Sequence, residues 1–251
     1  MSAPVKPKKA RLDVLLVDRG FFPSREQAQR AIMAGDVRVG ENVIDKASAK
    51  VPADAAVLIE EAARYVGRGG MKLEGALRHF GISVAGLTAL DIGASTGGFT
   101  DCLLQHGAKK VYAIDVGHGQ LAWKIRNDPR VVVREKLNAR YLTRTDVPEP
   151  VELCVIDVSF ISLTLILPNA FESVTPNGMI LALIKPQFEL EARDVGRGGI
   201  VRDPALHEKA QEKIRQFVST AGHEILGMVP SEITGTDGNQ EFFACIRKRS
   251  A

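Results

Sequence analysis

The chain has few cysteines, and they are scattered. Only three of its 251 residues are cysteine, namely Cys102, Cys154 and Cys245. An odd and widely spaced set is not a disulfide framework, and it does not have the spacing of a zinc site. We therefore expect buried free thiols, a reducing compartment and no bound metal.

Long apolar runs are also missing. No stretch approaches the roughly 18 consecutive apolar residues of a membrane span, and the basic N-terminal residues lack the apolar segment of a secretory signal. The hydrophobic content of 45% is nevertheless sufficient for a core, and a chain of this length forms one or two domains. These absences predict a cytoplasmic protein without a membrane span.

The net charge is only +3, but it is unevenly distributed. Residues 1–70 contain 12 Lys and Arg against 9 Asp and Glu, so they carry the whole excess. Lys6, Lys8, Lys9 and Arg11 precede the first acidic residue. This basic arm favours a polyanionic partner, although charge alone is equally compatible with an ordinary solvated tail.

The most informative stretch is Thr88–Thr100, which reads TALDIGASTGGFT. A short apolar run ends at Asp91, a turn with several glycines follows, and an apolar helical pattern begins at Phe99. This strand–turn–helix arrangement lets backbone N–H groups approach a ligand closely. A second strand-like run ends at Asp115, at the place where nucleotide sites hold a ribose diol.

The glycine spacing differs from the dinucleotide fingerprint, because Ser95 stands where G-x-G-x-x-G requires a glycine. Asp91, which precedes the first glycine, suits a cationic ligand better than a pyrophosphate. S-adenosylmethionine carries an ammonium and a sulfonium, so it fits these features better than NAD. A tight structural turn that binds no ligand is the alternative.

Downstream of residue 71, strand-like and helix-like stretches alternate, which predicts a doubly wound, Rossmann-like α/β sheet. Strands are expected near 88–92, 111–115, 131–134, 152–157, 179–184, 224–229 and 241–247, and helices near 72–80, 98–106, 119–127, 161–173 and 204–221. The last two strands have only a short connection between them, so they should pair antiparallel.

A smaller α+β unit precedes this sheet. Its pattern is R-L-D-x-x-L…R-G-x-x-x-S-R-x-x-A…I-x-x-G-x-V-x-V, and it resembles the alpha-L RNA-binding motif of ribosomal small-subunit protein four. The resemblance implies a basic face that binds structured RNA by shape and phosphate contact. The candidate RNA-binding residues are Arg11, Arg19, Arg25, Arg30 and Lys46, together with Arg68 in the glycine-rich junction.

Charged residues follow several of the predicted strands. Ligands of such sheets bind beyond the carboxyl ends of the strands, so Asp157 and Lys185 are candidate catalytic residues. Lys72 lies just before the sheet, and Glu241 opens the last strand. A structural ion pair at the sheet edge is the alternative for Asp157 and Lys185.

Missing motifs narrow the chemistry of the methyl acceptor. Amino-group methylation of bases usually requires an Asn/Asp-Pro-Pro-aromatic motif after the fourth strand, where this chain reads DVSF. Methylation at a pyrimidine carbon requires a cysteine nucleophile, and no cysteine follows a strand suitably. Two lysines and two acids suit methylation of a hydroxyl.

Taken together, these motifs resemble the TlyA family, in which an alpha-L RNA-binding domain is fused to an FtsJ-like ribose 2′-O-methyltransferase. The stretches RYVGRGGMKLEGAL, DIGASTGGFTDCLL, DVGHGQLAWKIRNDPRV, DVSFISL, LIKPQFE and GNQEFF carry the resemblance. It implies a Lys-Asp-Lys-Glu catalytic tetrad at Lys72, Asp157, Lys185 and Glu241. It also implies an N-terminal arm and RNA-binding domain over 1–63, a linker over 64–71 and a methyltransferase domain over 72–251.

The resemblance further implies roles for these residues. S-adenosylmethionine would contact Asp91, Gly93, Ala94, Ser95, Gly97, Gly98, Asp115 (on the ribose), Asn138 (near the adenine) and Asp157. Lys185 would steer or accept the proton of a ribose 2′-hydroxyl, and Lys72 would assist through its charge. Asp157 and Glu241 would orient the two ammonium groups. No metal is needed for this transfer, because a sulfonium is already a good leaving group.

The implied product is a cytidine 2′-O-methyl mark on ribosomal RNA. Because the chain ends soon after the last strand, we expect large-subunit RNA to be the substrate. The alternative is a non-catalytic RNA-binding or ribosome-assembly module that retains a methyltransferase fold, although its tetrad would then be broken and here it is intact. Oligomeric state is left open.

Overall fold

The computed structural model describes residues 9–59 and 64–250. The chain divides into two compact units, Met1–Arg64 and Tyr65–Ala251. No helix within the described ranges is both long and apolar enough to cross a bilayer.

The N-terminal unit is a small α+β structure. Its elements are β1 (Lys9–Arg11), α1 (Leu12–Asp18), α2 (Arg25–Ala34), β2 (Val37–Val39), β3 (Asn42–Val43), β4 (Lys50–Pro52) and β5 (Val57–Ile59). Strand β1 pairs antiparallel with β4, and a separate sheet has the order β3-β2-β5. The predicted α+β character of this unit is confirmed, whereas the strands β1, β3 and β4 were not predicted from the sequence.

Local signals explain the bounds of α2. The hydroxyl of Ser24 accepts a hydrogen bond from the backbone N–H of Gln27, and Gly35 ends the helix in the left-handed conformation. Apolar residues of both helices then form one core, in which Leu12, Leu16 and Ile32 are fully buried.

A buried carboxylate organises the polar side of this unit. The side chain of Asp13 is fully buried and accepts hydrogen bonds from Arg11, Arg25 and Gln29 at 2.8–3.0 Å. The Arg11 hydrogen bond, supported by those of Arg25 and Gln29, holds the pKa of Asp13 well below its ordinary range. Two arginines expected to bind RNA are therefore fixed by one acid, while each stays about half exposed.

We predict that Asp13→Asn destabilises the N-terminal unit at pH 7 by about 2 kcal/mol, because Arg11 and Arg25 lose a charged partner. Since folding lowers the pKa of Asp13, its contribution is present above pH ~4 and is lost as the pH falls below that value. Hydrogen exchange of residues 12–34 measures the effect. Asp18→Asn, an exposed acid at the end of α1, is the control, and equal protection in both variants would contradict the prediction.

The C-terminal unit contains the large sheet. Its strands are β6 (Thr88–Ile92), β7 (Lys110–Asp115), β8 (Val131–Glu135), β9 (Val151–Ile156), β10 (Val174–Ile184), β11 (Glu224–Pro230) and β12 (Phe242–Arg247). Its helices are α3 (Gly69–Phe80), α4 (Gly98–Gln105), α5 (Trp123–Arg126), α6 (Leu167–Ser173), α7 (Pro186–Glu189) and α8 (Pro204–Thr220), with short 3₁₀ turns at Ala139–Tyr141, Leu163–Leu165, Ala192–Asp194 and Arg197–Gly199.

The seven strands have the order β11-β12-β10-β9-β6-β7-β8. The five from β10 to β8 are parallel, and β12 pairs antiparallel with both β10 and β11. The predicted α/β sheet and its antiparallel ending are thus confirmed. The chain runs outward from β6 to β8 and returns at β9, so a crevice opens where β6 and β9 end together.

Alternating side chains cover the two faces of this sheet. Leu90 and Ile92 pack in the cluster that includes α6 and α8, whereas Ala89 packs in the cluster that includes α3 and α4. Such alternation is the period of a strand buried on both faces. The three cysteines are buried in these clusters and form no disulfide bond with one another.

Several bounds differ from the sequence-based expectations. Helix α3 begins at Gly69, within the segment 64–71 that was expected to be a linker, and β10 begins at Val174. The helix expected over 119–127 is only one turn, Trp123–Arg126. Trp123 is 80% exposed, because so short a helix offers no continuous apolar face for packing.

Candidate active site

The loop that follows β6 comes very close to the loop that follows β9. A Cβ at Gly93 would lie 2.3 Å from the carbonyl oxygen of Asp157, and Gly93 has a φ of +88°. The N–H of Asp157 in turn donates to the carbonyl of Ile92 at 2.9 Å. Only glycine satisfies both the space and the backbone conformation at position 93.

The same loop depends on Asp115 for its shape. The N–H of Ser95 donates to Asp115 Oδ2 at 2.8 Å, and the N–H of Gly117 donates to Oδ1 at 2.6 Å. Ser95 has a φ of +48°, a left-handed conformation that costs a serine energy and that the Asp115 hydrogen bond offsets. Each carboxylate oxygen keeps a second lone pair, so Asp115 can also accept from a ribose diol.

A cleft of about 450 Å³ opens beside this loop. Its polar lining includes Gly93, Ser95, Asp115 and Asn138. The remaining lining is mostly apolar and includes Ile92, Ile114, Val116, Leu137, Val158, Phe160, Ile161 and Ile166. Asn138 Oδ1 accepts from the N–H of Arg140 at 3.0 Å, which holds the orientation of its side chain. A flat apolar group between polar ends fits this cleft.

Asp91 is fully buried beneath the glycine loop. Its Oδ2 accepts a hydrogen bond from the Thr100 hydroxyl at 2.6 Å, but its Oδ1 accepts none from the residues that the structure describes. Burial raises the pKa of Asp91 to about 7, and the nearby Asp157 and Asp115 charges add to the rise. Asp91 is not among the residues that line the cleft beside this loop, so its carboxylate favours a cationic ligand there by charge rather than by contact.

The four tetrad residues meet in a second cleft of about 190 Å³. Lys185 Nζ lies 2.6 Å from Asp157 Oδ1, and Lys72 Nζ lies 2.6 Å from Glu241 Oε2. The second pair is almost fully buried, so each charge there requires the other. Gly93, Ser95 and Asp157 line both clefts, which therefore adjoin.

Sequence reasoning missed Ser159. Its hydroxyl accepts a hydrogen bond from Lys185 Nζ at 2.9 Å, so Lys185 is held by two groups of the same loop. The available signal was the spacing, because residues two apart on an extended segment point to the same side. Arg68 stands on the rim of this cleft and donates to the carbonyl of Thr234 at 3.3 Å.

This arrangement agrees with the comparison to known proteins. The pattern of FtsJ-like methyltransferases matches residues 65–248, and the S4 domain pattern matches residues 10–57. The chain belongs to the FtsJ-like methyltransferase family.

Three similar proteins illustrate the range of this family. The 16S/23S rRNA (cytidine-2′-O)-methyltransferase TlyA of Mycobacterium tuberculosis is 44% identical over 97% of this chain and 91% of its own. The 23S rRNA (cytidine-2′-O)-methyltransferase TlyA of Campylobacter jejuni is 34% identical over 71% of this chain and 69% of its own. A solved protein of Streptococcus thermophilus, with a provisional hemolysin description, is 45% identical with a TM-score of 0.74, covering 98% of this chain and 90% of its own.

The five predicted RNA-binding residues of the S4 domain differ in their hydrogen-bond partners and exposure. Arg11 and Arg25 are held by Asp13, and both guanidinium Nη atoms of Arg19 donate to the carbonyls of Ala53 and Ala55. Arg19 therefore has a clear role in holding the 53–55 turn. Arg30 and Lys46 are exposed. The roles of all five toward RNA remain predictions.

We predict that this FtsJ-like unit binds S-adenosylmethionine more weakly as the pH falls from 7.5 to 5.5. The negative charge of Asp91 favours a cationic ligand, and protonation below its pKa of about 7 removes that charge. The affinity should therefore fall by up to about tenfold per pH unit. Calorimetric titration at several pH values measures this. Asp91→Asn should bind weakly at every pH, and a variant with the same pH dependence as wild type would refute the role of Asp91.

The same shift has a consequence for stability without ligand. The pKa of Asp91 rises from 3.8 to about 7 on folding, so its contribution favours folding fully below pH ~4 and is lost as the pH rises through 7. Asp91→Asn should therefore be more stable than wild type at pH 8, as measured by thermal unfolding.

Proposed function

We propose that this protein transfers a methyl group from S-adenosylmethionine to the 2′-hydroxyl of a cytidine in ribosomal RNA. The proposed substrate is the RNA of the large subunit. The observation that carries this proposal is the meeting of two lysine–acid pairs, Lys185–Asp157 and Lys72–Glu241, in a cleft that adjoins a ligand-sized apolar one. A ribose hydroxyl is a weak nucleophile, so its proton must be handled by positioned groups.

Lys185 is the group that acts on the hydroxyl. The Ser159 hydroxyl accepts one N–H of Lys185, and Asp157 Oδ1 forms an ion pair with Nζ at 2.6 Å. When Lys185 passes one of its protons to Asp157, its amine lone pair can take the hydroxyl proton as the oxygen attacks the methyl. Lys185 then ends as an ammonium and Asp157 as a carboxylic acid.

Lys72 and Glu241 form the second side of the same cleft. Their mutual distance of 2.6 Å and their burial fix both side chains. Lys72 brings a positive charge toward the oxygen at which negative charge develops, and Glu241 holds that charge in place. Neither side chain has to reorganise during the reaction, which favours a low barrier.

The residues of the larger cleft fit S-adenosylmethionine. When bound, this cofactor supplies an electrophilic methyl group on a sulfonium. Asp115 and Asn138 belong to the lining of this cleft, where Asp115 can accept from the ribose diol and Asn138 can contact the adenine. Asp91 lies outside the lining, and its unsatisfied Oδ1 favours a nearby cation by charge. Gly93 lines both clefts, so a methyl group beside it can face the lysines.

The RNA substrate is supported by the S4 domain and by the relatives. The S4 pattern covers the basic N-terminal unit, and relatives in Mycobacterium tuberculosis and Campylobacter jejuni are named for cytidine-2′-O methylation that includes 23S RNA in both cases. We infer that the N-terminal unit binds the phosphate backbone and the FtsJ-like unit acts on the ribose.

We predict that Lys185→Ala lowers transfer of tritium from S-adenosylmethionine to ribosomal RNA by about 10²–10⁴-fold, because the hydroxyl loses its proton-handling group. Donor affinity should change by less than about threefold, since donor contacts lie mainly in the other cleft. Lys209→Ala removes a lysine paired with Asp194 on the exposed face of α8 and is the matched control.

The labelled RNA is then mapped for linkages that resist alkali, which indicate a blocked 2′-hydroxyl. Label attached to a base would contradict the proposed chemistry. Donor binding without any transfer to either subunit or to free RNA would favour the non-catalytic assembly module.

We predict that Arg30→Ala weakens RNA binding about three- to tenfold at low salt, because one exposed phosphate contact is lost. The slope of log affinity against log salt should fall by about 0.9, as expected for one released counterion. Filter binding across a salt series measures both. Arg215→Ala, on α8 and paired with Glu208 and Glu212, should leave the slope unchanged, and an unchanged slope for Arg30→Ala would refute this contact.

A further inference from the structure

Glu189 is a buried carboxylate that follows Lys185 at the end of α7 and lines neither cleft. Its side chain is only 1% exposed. Its burial must therefore be offset by protein groups rather than by a ligand.

Three donors from two other segments surround this carboxylate. The Leu163 N–H donates to Oε1 at 2.7 Å, the Ser162 hydroxyl donates to Oε2 at 2.5 Å, and Lys213 Nζ lies 3.0 Å from Oε2. Lys213 also donates to the backbone carbonyl of Glu189 at 2.7 Å. Glu189 thus ties the loop after β9 and helix α8 to the end of α7.

The loop after β9 and the segment from Lys185 to Glu189 also carry the candidate catalytic groups, each at the end away from the Glu189 contacts. Helix α7 is one turn, with Lys185 immediately before it and Glu189 at its end. The loop after β9 begins with Asp157 and Ser159, which hold Lys185, and ends with Ser162 and Leu163, which bind Glu189. The two segments are therefore cross-linked at both ends and form a closed ring.

This ring also carries local strain. Phe160, between the two cross-links, has a φ of +63°, a left-handed conformation that is unfavourable for an aromatic residue. Such a conformation persists only where its surroundings fix it, and Glu189 fixes the end of the loop that Lys185 does not.

We propose that Glu189 is a positioning residue that holds the Asp157–Leu163 loop in register with Lys185. It sets the distances of Asp157 Oδ1 and Ser159 Oγ from Lys185 Nζ, and thereby the direction in which that lysine faces the hydroxyl. Lys213 supplies a counterion for the buried carboxylate of Glu189. This inference rests on the proposed function, since it assigns Glu189 a role in the same transfer.

The test uses Glu189→Gln in the full chain, with tritium transfer from S-adenosylmethionine to large-subunit ribosomal RNA at 20 °C. The amide keeps an acceptor for Leu163 but presents N–H groups to Ser162 and Lys213, so the loop shifts. We expect kcat to fall about 10- to 100-fold, while the KM for RNA and the Kd for S-adenosylmethionine stay within about threefold. The pH dependence of kcat should shift as well, because Lys185 no longer keeps both partners.

The matched control is Glu149→Gln. Glu149 also accepts from a lysine and a hydroxyl, Lys110 Nζ at 2.6 Å and Tyr112 Oη at 2.7 Å, but it lines neither cleft. This variant should keep kcat within about twofold of wild type. If Glu189→Gln does not fold, Ser162→Ala decides instead, because it removes the loop's hydroxyl bond to Glu189 while the Glu189–Lys213 pair stays, and it should lower kcat by at least about fivefold.

The outcomes are distinguishable. A folded variant with kcat within twofold of wild type would overturn the positioning role, as would a loss of donor affinity equal to the loss of kcat. If wild type itself transfers no label to RNA, the proposed function is at fault, and the inference falls with it. A selective loss of kcat with wild-type transfer intact supports both.

Discussion

Residue 93 has no space for a side chain, because the carbonyl of Asp157 lies where its Cβ would be. This contact between the ends of β6 and β9 determines how closely the two loops approach each other. Gly93 and Asp157 therefore line both clefts. A larger residue at 93 would separate the donor cleft from the lysines, and transfer between two adjoining ligands depends on that proximity.

Buried acids in the FtsJ-like unit are compensated to different degrees, and the differences indicate their roles. Glu241 pairs with one lysine, and Glu189 has a lysine, a hydroxyl and a backbone N–H. Asp91 has the Thr100 hydroxyl but no partner on Oδ1 within the described part of the chain. Asp91 lines neither cleft, so its unpaired charge favours a cationic donor at a distance and does not contact it directly.

The sheet could be predicted from the sequence because its signals are local. Apolar runs and the glycine turn each depend on residues within about one turn or strand of each other. The predictions were weaker where a signal was short or depended on packing. The one-turn helix Trp123–Arg126 and the strands β1, β3 and β4 are examples, since neighbours distant in the chain decide whether such segments form.

The positions of the strands along the chain and their antiparallel ending followed from the sequence, because apolar runs are readable along the chain, and the family resemblance implied which residues form the candidate tetrad. The order of the strands within the sheet was not predicted. Only the tertiary structure decided which of these side chains touch. Lys185 contacts Ser159, Glu189 binds Ser162, and Arg19 is held by carbonyls 34 and 36 residues away. These contacts depend on how separate segments are placed against each other, and that placement is determined by packing of the whole core rather than by any local pattern.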